Sequence, residues 1–344
     1  MKRRHSVLVF IVMILLSVSC SNAAPAATVD TPSSTRLVIY SGRNEALLKP
    51  VLDAFRSKYP AITVDVKSGK NSELAAAIIE ERAQPLADVF ISTDMLTHIN
   101  LSKEGIFLAA PIAGSESIPS KLKASDGSWT SVTSRARVIM YNTTLVSAAE
   151  APTSMLDLTD PKWKGKIAAA NATNGSMQAQ VATMQHLLGE EATAAWLAGL
   201  VANEVTFFGG HTDVRKAVGA GEFAIGLVNH YYYELQKREA SDNQVGVVYP
   251  DQGDGQMGLM MNTTAIGQIQ NAPNPDNARV FAEFLFTPEA QTLFATANYE
   301  YPLVPGIALA EGVTPLDGMR LADTDMQDTA TRISTVVPMM NAAG

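Results

Sequence analysis

The chain has 344 residues, 47% hydrophobic and 17% charged, with a formal net charge of -8. That length exceeds one ordinary core and suits two lobes, and the composition is globular, far from the disordered regime. With no basic run and no arginine–aromatic stripe, the acidic balance excludes nucleic-acid binding, which needs a positive field to neutralise phosphates; an acidic surface mainly favours solubility and only slightly a cationic ligand.

MKRR (1–4) and the uncharged run VLVFIVMILLSV (7–18) open the chain. The run is shorter than the ~20 residues that span a bilayer, so residues 1–19 are expected to be an export signal. Cys20 is the only cysteine. It closes LSVSC, which resembles the bacterial lipoprotein processing box except that Ser17 stands where leucine or valine is usual. Cys20 is therefore expected to become the lipidated first residue of the mature protein, with ordinary cleavage near Ala23 or Ala24 as the alternative. Either way the mature domain keeps no thiol for a disulfide or for catalysis. Residues 20–35, small, polar and Pro-containing, read as a flexible tether between anchor and domain.

After residue 35 the pattern predicts a strand at 37–40, a helix at 45–59, an alternating strand at 62–67, a helix at 71–83 opened by Asn71 or Ser72 ahead of Glu73, and a buried strand at 87–92. This βαβαβ order implies a parallel sheet with helices on both faces. Strands are expected again at 137–141 and 165–170, helices at 174–188 and 191–202, then strand 205–208, helix 212–221, strand 222–228, helix 230–240 and strand 245–249. An apolar segment at 257–262 precedes a helical tail from about residue 277, within which Pro288 opens a segment. Two α/β halves with short joints imply a cleft, and ligands of such sheets bind beyond the carboxyl ends of the strands.

NHYYYEL (229–235) is the most unusual local feature, with three of the nine tyrosines in succession after a buried strand. Asn229 would end the strand and could cap the next helix. Tyr231 and Tyr232 would then stand where a ligand is expected, converging if the backbone is still turning and diverging by about 100° in a regular helix. A phenol ionises near pH ~10 unless a cation assists. As phenolate it is a hard donor suited to Fe(III), with precedent in an axial haem ligand. Packing between lobes or stacking on an organic ligand would use the same residues. His5, His98, His186, His211 and His230 show no zinc-ligand spacing, and there is neither a nucleophile elbow nor a phosphate loop, so no enzymatic activity is expected. His230 is expected behind the tyrosines or at the surface.

Six blocks carry a resemblance: VIYSGRNEALLKPVLDAF (38–55), ADVFIS (87–92), SRARVIMYN (134–142), KWKGKIAAANATNGSMQAQ (162–180), AVGAGEFAIGLVNHYY (217–232) and YEYPLVP (299–305). In that order the chain resembles the ferric-ion-binding proteins of bacterial iron-uptake ABC transporters, the bacterial transferrin-like substrate-binding proteins, from about residue 36 to about residue 306. The resemblance implies a two-lobed, type II periplasmic-binding-protein-like α/β fold, each lobe a mixed, mostly parallel sheet flanked by helices. Lobe 1 would be 36–136 completed by about 262–312, and lobe 2 would be 137–261 completed by about 313–344. The family signature Asn-x-Tyr-Tyr falls on Asn229, Tyr231 and Tyr232, with Tyr233 left to packing.

The resemblance also implies Fe(III) held by Tyr231 and Tyr232 with a synergistic anion, carbonate or phosphate, and delivery by a monomer to a permease in the inner membrane. It places the protein in the periplasm or at the cell surface. The departures are specific. Asn44 and Glu45 stand where many members have histidine or His-Tyr, and Thr93 followed by Asp94 stands where many have glutamate. Asn174-Gly175-Ser176 stands where some have a third tyrosine. Glu45 and Asp94 are the hard donors available as additional metal ligands, or else helix-start carboxylates. Asn174, Gly175, Ser176 and Asn229 match the anion-holding positions, the helix start at 174 offering N–H groups to an anion. His211 replaces an asparagine. Arg43 could hold the anion from the opposite lobe through two parallel N–H bonds, or form a salt bridge; Arg135 and Arg137 are further candidates. The alternative ligand is an oxyanion, a phosphonate or a small organic solute.

Overall fold

The computed structural model describes residues 35–343; the export signal, Cys20 and nearly all of the tether fall outside the described residues. Strand β1 (Arg36–Ser41) buries Leu37 and Ile39. Helix α1 (Glu45–Lys58) is capped by Asn44, which accepts from Ala46 N–H at 2.9 Å, and turns Leu48, Val51, Leu52 and Phe55 to the core. Strand β2 (Thr63–Ser68), helix α2 (Asn71–Glu80) and strand β3 (Val89–Ser92) complete the expected βαβαβ unit, and β1 pairs in parallel with both β2 and β3.

The start of α2 differs from expectation. Asn71 lies inside the helix, Glu73 accepts from Lys70 N–H at 3.3 Å, and the Asn71 amide turns away to Thr93 and Asp94. A tertiary partner outcompeted the local cap. Helix α2 also stops at Glu80, and a 3₁₀ turn (Glu81–Ala83) replaces its last turn. An unforeseen helix, α3 (Met95–Lys103), is capped by Asp94, whose carboxylate accepts from Thr97 N–H at 2.7 Å.

Strand β4 (Thr130–Asn142) is buried along its whole length and is far longer than the five residues expected. Thr133, Arg135 and Arg137 share one of its faces by the two-residue period, and these polar residues hid the strand from a hydrophobic pattern. After β4 come β5 (Ile167–Ala170), α4 (Gly175–Leu188), α5 (Glu190–Ala202), β6 (Thr206–Phe208), α6 (His211–Gly219), β7 (Ile225–Asn229), α7 (His230–Lys237) and β8 (Val245–Val248). Gly189 separates α4 from α5 at φ 88, a conformation that a side chain disfavours. The chain closes with β9 (Met261–Gln268), α8 (Pro275–Phe284), α9 (Pro288–Ala297), β10 (Tyr301–Pro302) and α10 (Met326–Ala343).

The main strand order is β2-β1-β3-β9-β4-β7-β5-β6. The first half of β4 pairs antiparallel with β9, and its second half pairs antiparallel with β7 and β8. One strand thus runs through both halves of the sheet. Behind β1 and β3, Phe55 meets Phe281 edge-on at 5.0 Å, in a core that includes Leu37, Ile91 and Phe294. Behind β7, Val214 and Val218 of α6 pack with Val138 and Val228. Helix α10 lies against α3, α4 and α5.

Candidate functional site

Strand β7 ends at Asn229, and α7 starts one residue later, so Tyr231 and Tyr232 occupy its first turn. Their ring centroids are 4.4 Å apart and tilted by 36°. Adjacent residues at a helix start thus present two phenols to one cavity, although the segment is already helical. The cavity is about 200 Å³ and is lined from one half by Arg43, Asn71 and Thr93, and from the other by Asn174, Gly175, Ser176, His211, Tyr231 and Tyr232. Arg135, on the strand common to both halves, lines it as well.

Larger cavities exist. One of about 510 Å³ lies at the N-terminal ends of β5 and β7, beside Leu145, Trp163 and Lys166. It is remote from the carboxyl ends of these strands, where α/β sheets place ligands. The tyrosine cavity is smaller but opens beyond the carboxyl ends of β1, β2, β3, β5, β6 and β7.

Asn229 occupies the cap position of α7 without capping it. Its Oδ1 accepts from Arg137 at 3.1 Å, and its Nδ2 faces Ser176 Oγ at 3.3 Å and Tyr231 Oη at 3.4 Å. At the start of α4, Asn174 Oδ1 accepts from Ser176 N–H at 3.1 Å and Met177 N–H at 3.2 Å. Two of the N–H groups expected to meet an anion are therefore already capped, and the residues nearest the cavity are Gly175 and the Ser176 hydroxyl.

Arg43 lines the cavity, but its fork is engaged within the protein. Both terminal nitrogens bind the buried Glu300 carboxylate, and Nη1 also donates to Thr264. Glu300 accepts from Thr133 too. The two parallel N–H bonds expected to face an external anion are made to Glu300, because an unpaired guanidinium at this depth would be costly. Burial works against ionisation of Glu300, yet Arg43 and Arg135 hold its pKa below the ordinary glutamate value. Arg135 donates to Thr264 and to the Thr93 carbonyl, and its Nε–H has no protein partner.

The two carboxylates considered as additional ligands are not brought into this cavity. Glu45 lies on the exposed start of α1 and accepts from Ser68 Oγ at 2.8 Å. Asp94 is buried, caps α3 and accepts from Asn71. Arg43 and Arg135 lie beside the buried carboxylates Glu300 and Asp94, and Arg137 stands beside the tyrosines, so three arginines against two carboxylates leave the cluster net positive. Burial first, then the neighbouring Tyr231, pushes the Tyr232 phenol well above its ordinary value, and Arg135 and Arg43 oppose that rise. A cation that displaces these protons would be held by hard oxygen, and its uptake would release protons. Among the described residues no three of His, Cys, Asp and Glu cluster to hold a metal ion.

His230 is fully buried, not at the surface. Its Nδ1 accepts from Ala136 N–H at 3.2 Å, so its proton sits on Nε2 and is donated to the Tyr299 carbonyl at 2.8 Å. The ring stacks on Tyr301 at 4.2 Å. It thereby fixes the segment that carries Glu300. Tyr233 is buried in the same core as Tyr231 and Tyr232. Sequence reasoning missed Glu300, Thr264 and Asn71. The pairing of Glu300 with Arg43 spans 257 residues and left no local signal. The arginines at 135 and 137, two apart in a buried strand, were the one visible trace.

Residues 84–315 match the model of a family described as bacterial extracellular solute-binding protein. The chain is 32% identical over 335 residues to the Synechocystis sp. protein named iron uptake protein A1, covering 95% of this chain and 92% of that one. The solved ferric binding protein from Campylobacter jejuni aligns with a TM-score of 0.82 at 26% identity, over 90% of this chain and 99% of that one. A Trichodesmium protein solved in complex with iron and citrate ligands aligns with a TM-score of 0.74 at 30% identity, over 90% and 99% of the two chains. The fold shared with these structures is the two-lobed type II α/β fold.

Proposed function

The chain belongs to the bacterial extracellular solute-binding protein family, and on that premise we propose that it captures ferric iron with Tyr231 and Tyr232 and delivers it to an ABC permease. The observation that carries this reading is the pair of buried phenols 4.4 Å apart in a cleft lined by two arginines. Phenolate oxygen is a hard donor. The net positive surroundings lower the cost of ionising it and favour an oxyanion, carbonate or phosphate, to complete the metal's shell. Ser176, Gly175 and Arg135 are the groups nearest to such an anion; Arg43 acts beside them from its pairing with Glu300. The role is binding, not catalysis.

In this reading lobe 1 is 36–136 completed by about 262–312, and lobe 2 is 137–261 completed by about 313–344. Iron enters the open cleft, protons leave the tyrosines, and the lobes close as a monomer. Replacing both tyrosines, Tyr231→Phe with Tyr232→Phe, should abolish the visible phenolate-to-iron absorption and lower ferric affinity by orders of magnitude. Unchanged affinity in a competition titration with a chelator would sink the assignment.

Export to the periplasm or cell surface with lipidation at Cys20 belongs to the same proposal. Among the described residues no helix is long and apolar enough to cross a membrane. Cys20→Ser should move the protein from the membrane pellet to the soluble fraction; an unchanged distribution would show that Cys20 is not the anchor.

The absence of Glu45 and Asp94 from the cavity, together with its surplus positive charge, favours a second reading in which an oxyanion, phosphonate or small organic solute is the ligand. Calorimetry with Fe(III) against phosphate alone separates the two: heat from phosphate without iron, and none from iron, selects the second.

A further inference from the structure

Arg137 is the most buried cation behind the tyrosine cleft that has no ligand role in the reading above, and its five N–H donors can be followed one by one. Nε donates to Gln180 Oε1 at 2.9 Å and Nη2 to the same oxygen at 2.7 Å, with Met177 Sδ 4.0 Å from Nη2. Nη1 meets His211 Nε2 at 3.0 Å and Asn229 Oδ1 at 3.1 Å. Every donor thus has a protein partner, and none is left for a ligand. A guanidinium donates and never accepts.

Two consequences follow for its partners. His211 Nε2 must be a lone pair, so its ring proton sits on Nδ1. Asn229 must turn its oxygen to Arg137, so its amide NH₂ faces Ser176 Oγ and Tyr231 Oη. His211 is the first residue of α6, lines the cavity, and sets its ring edge-on to Tyr232 at 5.3 Å.

We propose that Arg137 is a positioning residue that sets the hydrogen-bonding polarity of the cleft, making His211 a fixed Nδ1–H donor and Asn229 a fixed NH₂ donor. The inference rests on the tyrosine-site reading and deepens it. A neutral imidazole beside two tyrosines would ordinarily count as a candidate metal ligand. Here its free lone pair is spent on Arg137, so His211 does not coordinate the metal. It offers N–H to an acceptor-only group, an oxyanion of the carbonate or phosphate type. The Asn229 NH₂ is likewise a donor aimed at oxygen, 3.3 Å from Ser176 Oγ and 3.4 Å from Tyr231 Oη. The second half of the cleft thus presents N–H donors to acceptor oxygens, an external oxyanion among them.

The test begins on metal-free protein labelled with ¹⁵N-histidine. The two ring nitrogens of His211 should report the Nδ1–H tautomer at neutral pH; an Nε2–H tautomer or an imidazolium overturns the proposal whatever the protein binds. Arg137→Met should release the constraint and give a mixed or reversed tautomer, while the donor-only Arg137→Lys restores Nδ1–H. If the Arg137 variants do not fold, His211 carries the test. His211→Asn retains an N–H donor and should keep inorganic phosphate binding within about threefold. His211→Asp offers only acceptors and should lose tenfold or more; equal binding by the two variants overturns the donor role. Both titrations are run with phosphate alone and again with Fe(III) present, so a failure of the iron reading shows as loss of the metal response only and leaves the tautomer result standing.

Discussion

At the scale of single residues, the site depends on a pair that no local pattern announces. Arg43 and Glu300 are both buried and meet fork to fork. Removing one partner of such a pair strands the other charge and costs about 3–5 kcal/mol. Glu300→Gln is expected to lower unfolding free energy in urea by that order, and to loosen Arg43 toward the cavity. A loss below ~1 kcal/mol would show that the pair is dispensable. The sign with pH is definite. The folded pKa of Glu300 is depressed, so its contribution is full above the ordinary glutamate value and is lost as pH falls through the lower folded value. Tyr231, Tyr232 and Asn229 were legible in the sequence because they are contiguous. Which way the Asn229 amide points was not, since Arg137, 92 residues away, sets it.

At the scale of elements, the first turn of α4 comes close to the other side of the cleft. A Cβ at Gly175 would stand 2.8 Å from Asn71 Nδ2 and 2.9 Å from Thr93 Oγ1, both in the opposite half. An alanine there would push these side-chain ends away, so the glycine sets how near α4 comes to Asn71 and Thr93. Gly175→Ala should leave the midpoint of thermal unfolding nearly unchanged but speed ligand release several-fold and enlarge the radius of gyration measured by scattering with ligand present. Wild-type values for both would remove Gly175 from the closing contact. The same contact explains why Asn71 does not cap α2: its amide is used at this junction, bonded to Thr93 and Asp94. Asp94 is occupied as the cap of α3 and as the acceptor of Asn71.

At the scale of the whole molecule, both halves carry buried neutral histidines. Burial holds His98 at about 3, stacked between Phe90 and Phe107. His230 is likewise held at about 3, and His211 well below its ordinary value, in each case by burial first. The unfolded chain binds these protons near pH ~6.5 and the folded chain does not. Stability is therefore full above about pH 6.5 and declines as pH falls toward 3, by about 1.4 kcal/mol per pH unit for each such histidine in that window. Urea midpoints measured from pH 7.5 down to 4.5 should fall steadily below pH 6.5; a flat profile would mean that these imidazoles take up protons without unfolding.

The sequence by itself determined the βαβαβ opening, the second α/β half and the tyrosine pair. Each of these is written in short-range periodicity, in turn residues or in a contiguous motif, and short-range physics is what a linear chain displays. The full span of β4 was not legible, because a strand buried on both faces and bearing Thr133, Arg135 and Arg137 on one of them shows neither clean alternation nor an apolar run. Only the tertiary structure decided that Arg43 faces Glu300, that Asp94 caps a helix, and that Arg137 turns His211 and Asn229 into donors. Those choices are made by desolvation: a buried charge takes the partner that the fold brings within reach, and that partner can lie anywhere in the chain.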